Sequence, residues 1–366
     1  MNINIDIANM FYENYNDKII RDANIDEYIS SFKKTELERL YELASVIDND
    51  TEEFSHAISL SLHPKKVIKE DFIKNIEKIY HALIKNTDTN TLKQLEVFLK
   101  LYKEDLLVLD TGDNRLSIMF FEFLRNFNLA KIKYEKKERL LYIYTPYELR
   151  NILKKIVKDK KVKKQCMENT IFKDNIHNIM SAYGVLPLDK FLSIYNNAYG
   201  KTNKRKIINR IIVNRAFDEE ISIALGDDTF IYIHAFDNED DALGFYYSLP
   251  EDLEYKKFSA LEYGELGDGV YHHKFEEYGK LVEFLKYELD MNEDDVFYFD
   301  ESYILDYMYS YQLDAEEAKK NLNSKLNNEF NFLILKDKIF ITSTILSLAK
   351  KYPNFNYKGY SLIEKH

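Results

Sequence analysis

Tryptophan is absent from this 366-residue chain, and cysteine occurs once, at Cys166. A single cysteine excludes an internal disulfide and a cysteine-built zinc site. Proline occurs 5 times and glycine 10 times, too seldom for long flexible linkers. The domains are therefore expected to be joined by helices or tight turns. No stretch reaches the ~18 consecutive apolar residues of a membrane span. The opening residues, MNINIDIANMFYENYNDK, lack the basic and apolar regions of a secretory signal. A cytoplasmic location, with no membrane partner, is expected. Hydrophobic residues at 45% and charged residues at 31% argue against wholesale disorder and suit two or three globular domains.

What the chain has in quantity is Lys, Asn, Ile and Tyr, residues with AT-rich codons, as expected of a low-GC bacterium or its mobile elements. The formal net charge of -11 is unevenly spread: -7 over residues 1–130, +14 over 131–215 and -18 over 216–366. A basic zone of 85 residues inside an acidic chain is the electrostatic footprint expected for phosphate binding. Its acidic flanks would repel a polyanion and so face away from it or serve another partner.

Apolar residues at helical spacing predict helices over 67–86 and 91–107, with Phe72, Ile76, Ile79, Tyr80 and Leu83 marking the first. A third, more apolar helix is predicted over 115–132. The alternating stretch KIKYEKKERLLYIYTP (131–146) then predicts a hairpin with a basic tip at Lys136 and Lys137. The same order returns with helices over 169–184, 187–200 and 203–221 and a hairpin over 222–236 turning at Gly226-Asp227. A looser third copy is predicted over 274–366, with a hairpin across Lys336-Asp337 at 331–342.

The fold class expected is mainly α with small β-hairpins, α+β. The divisions are an N-terminal helical region (1–64), a first unit (65–150), a basic linker helix (151–168), a second unit (169–236), an acidic connector (237–273) and an acidic, Tyr-rich helical domain (274–366). Three short helices followed by a two-stranded hairpin resembles winged-helix domains of the helix-turn-helix class, in two or three tandem copies. The resemblance lies in element order, and it implies a third helix that enters a DNA groove.

On a helical wheel of residues 203–217, Ile207, Ile208, Ile211, Ile212 and Ala216 gather on one side. Lys206, Asn209, Arg210 and Val213 lie opposite, with Asn203 nearby, and Lys204 and Arg205 flank the stripe. Arg pairs with guanine and Asn with adenine in the major groove. Asn203, Lys204, Arg205, Lys206, Asn209 and Arg210 are thus the expected base- and phosphate-contacting residues. The run KKIVKDKKVKK (154–164) supplies Lys154, Lys155, Lys158, Lys160, Lys161, Lys163 and Lys164 as a phosphate-tracking arm.

The sequence has no His-Glu-x-x-His, P-loop or GxGxxG pattern. His272 and His273 are adjacent, which points their side chains apart in most backbones, and YGELGDGVYHHK is expected to be a turn, with a metal or phosphate site as the lesser alternative. In DNEDDALG (237–244) the glycine falls at the eighth position, where a calcium loop needs it at the sixth, so a helix start or solvated loop is expected. Cys166 follows a run of lysines that would lower its pKa. No cofactor, metal set or catalytic residue is assigned. The expected function is a non-enzymatic, duplex-DNA-binding transcriptional regulator with an acidic interaction or self-association domain. The alternative is a protein-binding module, such as a phage-type inhibitor of a host or defence protein, whose acidic part engages a basic partner.

Overall fold

The computed structural model describes residues 15–47, 62–113, 115–215 and 221–365. The chain divides into two compact units, residues 1–173 with 208–219 and residues 174–207 with 220–366. Their formal net charges are +2 and -13, together the chain's -11.

The first unit is built around a small antiparallel sheet. Helix α1 (Ile25–Ser30) starts at a capping box between Asn24 and Glu27, and α2 spans Lys34–Ile47. Helix α3 (Lys65–Lys85) buries Phe72, Ile76, Ile79, Tyr80 and Leu83, the stripe its sequence period predicts. Helix α4 (Thr89–Leu101) begins where Asp88 accepts the Thr91 amide. It stops at Leu101, short of the predicted end at 107, because Leu106–Asp110 forms strand β1. Helix α5 (Ile118–Asn126) follows. Strands β2 (Lys131–Glu135) and β3 (Leu140–Tyr144) form the expected hairpin. The strand order is β1-β3-β2, and Ile143 stands opposite both Leu107 and Ile132. The core joins Phe72, Leu95, Phe98, Phe120, Ile132, Ile143, Leu149, Leu153 and Cys166.

The lysine-rich stretch is not one linker helix. Helix α6 (Tyr147–Ile156) ends with Lys154 and Lys155, and α7 (Lys160–Tyr183) begins after a turn at 157–159. Asp159 makes the break, its carboxylate accepting the Lys161 amide at 2.8 Å and capping the new helix. That bond holds the Asp159 carboxyl below the usual carboxylate range. The predicted helix over 169–184 is the second part of α7.

In the second unit, α7 ends at Gly184, whose φ of +73° favours glycine. A Cβ there would meet Phe355 at 2.8 Å. Strand β4 (Val185–Pro187), helix α8 (Leu188–Ala198), helix α9 (Lys204–Arg215), strand β5 (Ile221–Leu225) and strand β6 (Thr229–Ile233) follow. Residues of α9 from Ile208 onward belong to the first unit. The sheet order is β4-β6-β5, with Ile223 opposite Ile231 and Val185 opposite Tyr232. Helix α10 (Glu239–Ser248), capped by Asn238, covers this sheet through Ala242.

The acidic connector is helical. Residues 237–273 contain α10, α11 (Ala260–Gly267) and a 3-10 turn at Tyr271–Lys274, and none of them is in a strand. Beyond it lie α12 (Glu276–Tyr287), α13 (Glu293–Phe299), a π-helical turn (Asp300–Leu305), α14 (Asp306–Leu313) and α15 (Ala315–Glu329). The hairpin expected at 331–342 is absent. Lys336 and Asp337 sit in the first turn of α16 (Leu335–Lys351), which buries Ile341, Thr344, Ile345 and Leu348 at helical spacing. A short helix, α17 (Leu362–Lys365), closes the described chain. No helix among the described residues is long and apolar enough to cross a membrane.

Candidate functional site

The expected nucleic-acid contacts fall into three places. The first is the corner between α6 and α7. Lys155, Lys158, Lys160, Lys161, Lys163 and Lys164 are exposed there and Lys154 is half-buried. Three of the seven have a carboxylate partner: Lys155 lies 3.8 Å from Glu77 on α3, Lys163 lies 2.6 Å from Glu96 on α4, and Lys164 lies 3.8 Å from Glu168. These pairs, with His81 3.4 Å from Asp159, seat the corner against α3 and α4. Among the described residues, Lys154, Lys158, Lys160 and Lys161 have no carboxylate partner.

The second place is the tip of the β2–β3 hairpin, where Lys136 and Lys137 are exposed. It lies at the far end of β3 from the start of α6, about 15 Å along the strand at ~3.3 Å per residue. The third is the start of α9. Asn203 caps that helix by accepting the Lys206 amide at 2.9 Å. Lys204, Arg205 and Lys206 are exposed, and Lys204 is paired with Asp189 at 2.6 Å.

Arg210 does not lie on the exposed face where the wheel puts it. It is 8% exposed, and its guanidinium donates to the Asn86 carbonyl at 2.5 Å. Burial pulls its pKa down to about 10. The buried side of α9 is centred on Ile207 and Ile211, and it is turned from the expected isoleucine stripe toward Arg210; Asn209 is half-buried. Long-range packing against the α3–α4 turn decides that rotation, and a wheel carries no information on it. The side chains of Ile212, Val213 and Arg215, and residue Ala216, lie outside the described residues.

Cys166 is not activated by its lysine neighbours. It is fully buried beside Thr87 and Ile84, and desolvation pushes its thiol up to about 11. The lysines that precede it in sequence project into solvent, while Cys166 faces the core.

Comparison with family models, with curated proteins and with solved structures finds no match to this chain. Its chemistry rests on its own geometry.

One group of side chains escapes the sequence reading. His272 and His273 converge instead of diverging. His272 Nε2 lies 2.6 Å from Asp300 Oδ1, and His273 Nε2 lies 2.7 Å from Asp300 Oδ2. Tyr278 donates its hydroxyl to Oδ2 at 3.2 Å and stacks on the His273 ring at 4.1 Å. The 3-10 turn at Tyr271–Lys274 sets the two imidazoles 4.5 Å apart and nearly perpendicular, so both reach one carboxylate. The only cue in the sequence is the paired histidine itself, since Asp300 stands 28 residues from His272.

Proposed function

We propose that the first unit binds the phosphate backbone of nucleic acid through the α6–α7 corner. The observation that carries this reading is the set of four lysines there without a carboxylate partner among the described residues. They stand in a unit of net charge +2 within a chain of -11. An ammonium that is already paired gives little net gain on meeting a phosphate. An unpaired one releases a condensed counterion and adds affinity. Contacts of this kind position a protein on nucleic acid without reading its sequence.

Duplex DNA is the favoured ligand, and a regulator is the favoured role. The order helix–strand–helix–helix–strand–strand over residues 160–233, with the first strand paired to the last, supports the winged-helix reading of the 169–236 stretch. In that reading the exposed start of α9, with Asn203, Arg205 and Lys206, approaches the groove, and Arg210 is excluded because it is buried.

The test is fluorescence anisotropy of a labelled duplex over a salt series. Replacing Lys158, Lys160 and Lys161 with Ala weakens binding and flattens the plot of log affinity against log salt by about 0.9 for each phosphate no longer neutralised. Lys320→Ala, an exposed lysine paired with Glu317 on the second unit, is the control and leaves affinity within about twofold, ~0.4 kcal/mol. A triple variant with the wild-type salt slope removes the reading.

A second reading, a protein-binding role for the acidic unit, rests on Phe332, Ile334, Leu335 and Ile339. These four are exposed within one short stretch at the start of α16, and apolar side chains gathered on a surface mark interaction sites.

A further inference from the structure

We infer that His272, His273 and Asp300 form a binding site for a divalent transition-metal ion on the second unit, independent of any nucleic-acid role.

The three side chains place two imidazole nitrogens and a carboxylate oxygen within 4.8 Å of one another. Two nitrogen donors with one oxygen donor suit borderline ions such as Zn2+ rather than Mg2+ or Ca2+, which take oxygen ligands. Metal–ligand distances of about 2.0–2.2 Å put the donors of a tetrahedral site about 3.3 Å apart. Admitting an ion therefore widens the 2.6 and 2.7 Å contacts by roughly 0.6–0.7 Å. His273 is free to make that move, because its side chain is 37% exposed, while His272 is fully buried.

The surroundings fit a metal centre open on one side. Asp300 is 9% exposed and sits where α13 passes into the π-helical turn. Widened helical turns of this type recur at functional sites. Tyr278 holds both the carboxylate, through its hydroxyl, and the His273 ring, through stacking. An outer partner of this kind orients the ligands and tunes affinity. The Nδ1 atom of His272 is buried without a hydrogen-bond partner among the described residues. The ring's orientation is held by its Nε2 contact to Asp300 and by the edge-on His273 and Tyr278 rings. Solvent reaches the cluster from the His273 side and completes the ion's coordination there, leaving an exchangeable position.

The test uses untagged full-length protein stripped with a chelator, then titrated with Zn2+ by calorimetry and with Co2+ by visible absorption. One ion binds per chain, Zn2+ raises the melting temperature, and Co2+ develops a ligand-field band. His273→Gln, a partly exposed position that tolerates the change, lowers Zn2+ affinity at least about tenfold and removes the band. Asp300→Asn does the same if it folds. Binding without a one-ion stoichiometry, or His273→Gln binding equal to wild type, overturns the assignment. The second result would place the ion on other histidines.

Discussion

Cys166 shows how a single side chain changes meaning between sequence and structure. Its chain neighbours Lys163 and Lys164 suggest an activated thiolate. Its spatial neighbours are apolar core and the Ile84 carbonyl, 3.4 Å from the sulfur. Desolvation disfavours the thiolate, so the thiol titrates near 11 and is almost wholly protonated at pH 7. Reactivity follows the thiolate and its exposure. Native protein at pH 7–8 should therefore consume no thiol reagent on the timescale in which denatured protein consumes one equivalent. Absorbance with an aromatic disulfide reagent measures this directly. Rapid modification of the folded chain would refute the buried placement. Arg210 makes the same point with the opposite charge. Its sequence face looks solvated, yet it lies inside the first unit.

At the scale of elements, periodicity located most helices because their buried faces repeat locally. Helix α3 and the β2–β3 and β5–β6 hairpins lie where their own residues put them. The failures share a cause. Strand β1 continues the apolar spacing of α4, and only its partner β3, over 30 residues on, makes it a strand. Residues 331–342 alternate well enough for a hairpin, but Phe284 waits across from Phe340, with ring centres 4.8 Å apart, and α16 packs as a helix. Of the candidate sites, the lysine corner was legible because charge is written locally. The histidine–carboxylate cluster was not, since it needs a turn and a distant aspartate to meet. Gly184 is the element boundary with the firmest local signal. Gly184→Ala forces a side chain into a left-handed conformation costing about 1–2 kcal/mol, and its methyl meets the Phe355 ring at 2.8 Å. Chemical denaturation should show the second unit destabilised by at least ~1 kcal/mol, with the first unit unaffected. An unchanged midpoint would mean that α7 ends differently.

For the whole molecule, the 29 tyrosines and the missing tryptophan set an alkaline limit on stability. Burial raises Tyr144, Tyr271 and Tyr307 to about 12, and it raises Tyr28, Tyr80, Tyr183 and Tyr352 as well. In unfolded chain a tyrosine ionises near 10. Because the folded values lie higher, this stabilisation is complete below about pH 10 and is lost as pH rises toward the folded values. Each tyrosine kept protonated costs about 1.4 kcal/mol per pH unit in that window. Four of these seven belong to the second unit and three to the first. These four alone cost the second unit roughly 5–6 kcal/mol per pH unit, against a typical total of about 5–15 kcal/mol for a folded protein. At equal starting stability it unfolds first, between about pH 11 and 12. With no tryptophan to overlap it, near-ultraviolet absorption reports tyrosinate alone. The absorbance rise should coincide with loss of helical circular dichroism in a steep step, because buried phenols ionise only as their unit opens. A shallow titration with the helical signal intact to about pH 12 would mean that these side chains are in contact with water in the native state. The tyrosine-rich third of the chain would then be a wetted surface rather than a core.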